Sequence, residues 1–189
     1  MKRRPLTKNE ILAKTKQLQM LKQSSYRSPF TGMSVLCNYT LWHDEKWYQK
    51  KLGEYNNAVA EYDRKLDAEE TTLEEMSKRL WDKAEFTVEW VEFSEKDITV
   101  NKKDKFMYSV EKQIIGYNNV INQMSTRYFL IHFNVLMDMG YGKKRLERNK
   151  DLINENLRNI HTDDGTRIMD LRKELIEKAG IEIEMPTFS

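Results

Sequence analysis

Apolar positions along the chain follow two periods. Leu52, Tyr55, Val59, Tyr62 and Leu66 recur at alternating spacings of three and four, which is the seam of a charged helix packed on a neighbour. Leu146, Ile153 and Ile160 repeat that seam later, with Asn149 and Asn156 standing where the tyrosines were. Leu73, Met76, Leu80 and Ala84 mark a third helix, as do Ile168, Leu171, Leu175 and Ala179. Thr71 and Thr72, each followed three residues on by a glutamate, announce the first of these as a capping box. Val35 to Trp42 and Phe129 to Leu136 are nearly continuous in apolar character and predict helices buried on most sides. Then the period changes. Residues 86–91 and 181–185 alternate apolar with polar, as half-buried strands do, and an unpaired strand leaves backbone groups unsatisfied. The two are therefore predicted to pair in a small antiparallel sheet.

These elements occur twice in the same order. Residues 34–72 align with 128–166, and 73–94 with 168–189, so that Leu36 meets Leu130, Asp44 meets Asp138, Lys50 meets Lys144 and Leu52 meets Leu146. Leu80 meets Leu175, and Lys83-Ala84 meets Lys178-Ala179. The expected fold is mainly α with a minor α+β feature: an internally duplicated helical unit, each copy ending in a short strand. Two further helices precede the copies. One starts at Thr7, with a Thr7/Glu10 capping box and Leu6 set to pack on Ile11, and runs to about Gln23. The other spans about Asp104 to Gln123 and carries Met107, Val110, Ile114, Tyr117 and Ile121 on one seam. Ser24 to Gly32 reads as a flexible linker and Ser94 to Lys103 as the connection between copies. The domain reading is thus 1–32, a basic arm and helix; 33–94, the first repeat; 95–127, a connecting loop and helix; and 128–189, the second repeat.

Charge sharpens this picture. The 189 residues carry a net charge of +2, but residues 1–32 hold eight basic side chains against Glu10 alone, while residues 33–94 hold eight basic against fourteen acidic. The simplest consequence is a basic arm that neutralises the acidic repeat, and the alternative is an arm, Lys2-Arg3-Arg4, that reaches for phosphate. Cys37 is the only cysteine, so an intramolecular disulfide is excluded and a reducing cytoplasm fits. The longest apolar-rich run is too short for a bilayer span, and a soluble, non-membrane protein is expected.

Met139-Gly140-Tyr141-Gly142-Lys143-Lys144-Arg145-Leu146, followed by Glu177-Lys178-Ala179-Gly180-Ile181-Glu182-Ile183, resembles small uncharacterised helical proteins encoded by phages and prophages of low-GC Gram-positive bacteria. The resemblance covers roughly the last sixty residues and, more faintly, 34–94, where the turn glycines are missing and Glu85 replaces the glycine before the strand. It implies a phage or mobile-element product acting in the bacterial cytoplasm. It brings no activity with it.

The candidate chemistry is that of binding. His43, His132 and His161 lie in no metal-site spacing, no phosphate loop or nucleophile motif occurs, and no carboxylate pair stands out, so neither enzyme activity, metal nor cofactor is expected. Two surfaces remain. Trp42, Trp47, Trp81 and Trp90 all fall in the first repeat and are either a bulky core or a protein-binding hot spot. Lys50-Lys51 and Lys143-Lys144-Arg145, with Arg148, start the long helix of each copy and, with Lys2, Arg3 and Arg4, are the candidate phosphate contacts. The expected function is a non-catalytic phage-encoded binding protein that modulates a host nucleoprotein machine, a CRISPR effector being one candidate target. The alternatives are a DNA- or RNA-binding protein using the duplicated basic helix starts, and a phage structural or assembly factor. Oligomeric state is left open.

Overall fold

The computed structural model of the protein describes residues 6–26, 29–89, 94–100, 103–160 and 166–183. Among them are seven α-helices: α1 (Lys8–Tyr26), α2 (Pro29–His43), α3 (Gln49–Asp67), α4 (Leu73–Ala84), α5 (Lys105–Asp138), α6 (Lys143–Asn159) and α7 (Thr166–Glu174). A 3-10 turn, Glu95–Asp97, precedes α5, and α7 continues as a π-helical turn, Leu175–Ala179. Two starts are held by reciprocal capping: Thr7 with Glu10 at α1, and Thr72 with Glu75 at α4. No described helix is long and apolar enough to cross a membrane.

The chain folds as two compact units. The first takes α1, the 3-10 turn and α5 as far as Ser125. Its core is Leu18, Ile98, Val100, Met107, Val110 and Ile114. Glu111 ties the connection down by accepting from the Thr99 and Val100 amides at 2.6 and 3.0 Å, and it pairs with Lys14. Burial opposes its charge, but these bonds prevail and hold the carboxyl at about 2. The second unit takes the rest of the helices: α2 from Phe30, α3, α4, α5 from Thr126, α6 and α7.

Contacts in the second unit come in pairs that the repeat alignment relates. Tyr62 Oη donates to Asp138 at 2.6 Å, and in the same columns of the other copy Asn156 Nδ2 donates to Asp44 at 2.8 Å. Gln49 Nε2 donates to the Gly180 carbonyl at 3.1 Å, while Lys143 Nζ donates to Glu85 at 3.0 Å. Lys51 lies over the ring of Trp47, and Arg145 over that of Tyr141. Each pair joins one copy to the other or repeats within both. This is the contact pattern of a pseudo-two-fold axis.

Three expectations need correction. No strand occurs among the described residues, and the predicted sheet is absent: Phe86 to Glu89 and Ile181 to Ile183 are irregular, while 90–91 and 184–185 lie outside the described residues. Phe86, Ile181 and Ile183 are buried and Thr87 and Glu182 exposed, so the alternation records a chain laid on helices, not a ladder. Leu80 and Leu175 carbonyls accept the Phe86 and Ile181 amides as the helices end, and Arg172 Nε donates to the Ile183 carbonyl. Secondly, the helix expected to end near Gln123 runs on without a break into the buried stretch, giving the 34 residues of α5, because neither glycine nor proline interrupts residues 117–139. Thirdly, the linker expected to reach Gly32 stops sooner, since α2 already begins at Pro29, whose fixed φ suits a first helical position.

Candidate binding surface

α3 and α6 each follow a turn that places a left-handed residue in the same column of the repeat. Lys46 (φ 57°) and Gly140 (φ 87°) take left-handed conformations in equivalent columns and reverse the chain after α2 and α5. The next residue then turns inward. Trp47 is 4% exposed and Tyr141 is buried beside it, with ring centroids 6.0 Å apart at 74°. The Trp47 and Tyr141 amides donate to the Leu41 and Leu136 carbonyls, both at 2.9 Å. Burial pushes the Tyr141 hydroxyl up to about 12, reinforced by Glu45, to which it donates at 3.3 Å.

From there the first turn of α3 and of α6 allots the same position to the same task. Gln49 and Lys143 reach the far ends of α7 and α4, where the bond to Glu85 raises the Lys143 ammonium. Lys51 sits 3.9 Å from the Trp47 ring centre and Arg145 sits 3.8 Å from that of Tyr141, close enough for cation–π attraction. Leu52 and Leu146 are fully buried. Lys50 and Lys144 are left exposed, as is Arg148, and none of the three makes a hydrogen bond or ion pair with a described residue. The basic helix starts are thus partly anchored and partly free. Arg145 also approaches Glu45 at 4.0 Å.

The tryptophans part company. Trp47 is core, and Trp42 is half-buried with its edge toward Tyr39. Trp81 is 56% exposed on α4, one turn before Glu85, and its counterpart Ile176 is 38% exposed one turn before Gly180. Trp81 therefore flanks the Lys143–Glu85 pair, and Ile176 flanks the Gln49–Gly180 contact. Trp90 and the arm residues Lys2, Arg3 and Arg4 lie outside the described residues. Tyr48, 83% exposed as the residue before α3, belongs to this surface and carried no sequence signal beyond its place next to Trp47.

His132 is the centre of a second, closed cluster. Its Nδ1 meets the Tyr55 hydroxyl at 2.7 Å and its Nε2 the Asn149 Oδ1 at 2.8 Å; Tyr55 in turn meets Tyr128 at 3.0 Å. All four side chains are fully buried. Burial pushes the imidazole down to about 4, against the Asn149 bond, so it is neutral at pH 7, and burial also raises both tyrosines. Tyr55 and Asn149 are repeat equivalents, and both serve one histidine. His43 instead contacts Asp44 at 2.8 Å near the surface, and His161 lies outside the described residues. No group of three or more metal-ligating side chains occurs among the described residues.

Comparison of the chain with family models, curated proteins and solved structures finds no match.

Proposed function

We propose that this is a non-catalytic, phage-type binding protein that acts in the bacterial cytoplasm by docking on a host nucleoprotein machine, a defence nuclease such as a CRISPR effector among the candidates. The observation that carries this reading is Trp81. Met76 and Leu80 of the same helix are buried in the core, yet α4 turns its largest apolar side chain outward beside a cationic helix start. A half-exposed tryptophan one turn from the Lys143–Glu85 pair is the chemistry of a protein-binding hot spot, where one aromatic anchor contributes most of the affinity. The phage assignment rests on the resemblance of residues 139–146 and 177–183 given above.

The test is affinity capture from a bacterial lysate, with and without nuclease, by the full chain and by Trp81→Ala. One host protein recovered in both conditions, and lost or at least tenfold reduced with Trp81→Ala, is the expected result. Recovery of nucleic acid alone would overturn the reading.

A further inference from the structure

The pseudo-two-fold end of the second unit presents cations whose spacing the aromatic pair sets. Lys51, Trp47, Tyr141 and Arg145 form a chain of contacts at 3.9, 6.0 and 3.8 Å, which keeps the two cations within about 14 Å of each other. Stacking on a ring fixes a cation without neutralising it. Lys50 and Lys144 stand one residue before these anchors in each copy, exposed, and Arg148 lies one turn beyond Lys144 on the same face of α6. Lys46 adds a sixth positive charge at the turn, its Nζ resting on the His43 carbonyl.

The local carboxylates do not cancel this set. Glu85 is taken by Lys143, and Glu45 is turned inward under the Tyr141 hydroxyl with Arg145 at 4.0 Å. Glu54, Glu147 and Asp151 lie on the following part of the two helices, exposed and making no ion pair with a described residue. With Arg145 shared with Glu45, five unpaired cations thus face three free carboxylates.

We infer that this end binds the phosphate backbone of a duplex nucleic acid, the nucleic-acid component of the machine on which the proposed function rests. Two features select a duplex over an acidic protein. A duplex has local two-fold symmetry, so Lys50 with Lys51 and Lys144 with Arg145 meet equivalent strands. Its charge density, about one per 1.7 Å of axis, places several phosphates under a span of this size. The cations reach backbone rather than base edges, so binding is insensitive to base sequence.

The experiment is fluorescence anisotropy of the purified full chain with labelled duplex DNA, duplex RNA and single strands, and with poly-aspartate as competitor, between 50 and 200 mM salt. Binding to a duplex should weaken about a hundredfold over that range, as about four phosphate contacts require. Lys50→Glu with Lys144→Glu should weaken it at least tenfold further at 50 mM with an unchanged melting temperature, since both side chains are exposed. Lys50→Gln with Lys144→Gln should fall between. Absence of duplex binding at 50 mM salt, indifference to the charge reversal, or equal competition by poly-aspartate would overturn the inference. Trp81→Ala separates the two readings: it should abolish capture of a host protein and leave duplex affinity unchanged. Duplex binding without any captured protein would sink the proposed function and leave this inference standing; captured protein without duplex binding would do the reverse.

Discussion

A single imidazole links the two copies through the centre of the second unit. Tyr55, from the first copy, and Asn149, from the second, occupy the two nitrogens of His132, and no carboxylate of a described residue hydrogen-bonds to it. Protonation would place a positive charge among Tyr55, Tyr128 and Asn149, with nothing to balance it. The direction in pH follows. The folded value, about 4, lies below the ordinary 6.5, so the unfolded chain takes up the proton first. Stability is full above about pH 6.5 and falls with pH down to about 4, at roughly 1.4 kcal/mol per unit and about 3 kcal/mol in total. Urea denaturation between pH 7.5 and 4.5 should show that slope. His132→Asn, which installs the residue found at the equivalent position 38, should cost stability at pH 7 and remove most of the slope above pH 5. A variant with the slope intact would locate the titrating group elsewhere. Glu61, Glu70, Glu111 and Asp138, all held below the ordinary carboxyl range, lose their contributions only as pH falls through that range, so the slope above pH 5 belongs to the imidazole.

Turns give the sharpest test of what the elements require. In each pair of equivalent turns one copy has glycine at positive φ and the other does not: Gly140 at 87° answers Lys46 at 57°, and Gly180 at 66° answers Glu85 at 48°. A side chain there costs about 1 kcal/mol. The space around Gly140 is open, so Gly140→Ala should lose about 1 kcal/mol from backbone strain alone. Lys46→Gly should gain roughly 0.5 kcal/mol, the relief of strain exceeding the entropy of the added glycine and the bond to the His43 carbonyl. Opposite signs in chemical denaturation are the expected result, and two losses would refute the strain account. Much at this scale was legible in the sequence, because capping boxes and helical seams are local: Thr7 with Glu10 and Thr72 with Glu75 do what their spacing says. The strands were not legible. Alternation at Phe86 and Ile181 reports which side of a segment faces the core, and that sidedness is the same whether the neighbour is a strand or a helix. The basic helix starts were readable as residues, but their fates depend on Trp47, Tyr141, Glu85 and Gly180, which only folding brings to them.

At the scale of the whole molecule, two cores share one long helix. α5 contributes Met107, Val110 and Ile114 to the first core and Leu130, Ile131 and Val135 to the second. The internal alignment, drawn from the sequence, acquires physical content in the second core, where paired positions perform paired tasks. Leu52 and Leu146 are the plainest case. Each is the fourth residue of its helix, follows a cation stacked on a buried ring, and is fully buried. Leu→Ala at a fully buried site costs about 2–5 kcal/mol, the spread reflecting how far the surroundings collapse. If the pseudo-two-fold relates the energetics as well as the contacts, Leu52→Ala and Leu146→Ala should cost within about 1 kcal/mol of each other, since equivalent neighbours relax around equivalent voids. Met107→Ala removes a similar volume from the other core and has no reason to match them. The measurement is equilibrium denaturation of the three variants at pH 7.5, where His132 is neutral in the folded and unfolded chain alike. Agreement of the two leucines extends the symmetry from geometry to stability. A tolerated Leu146→Ala beside a damaging Leu52→Ala would show that the second copy keeps the shape of the first while the core has come to depend on one half.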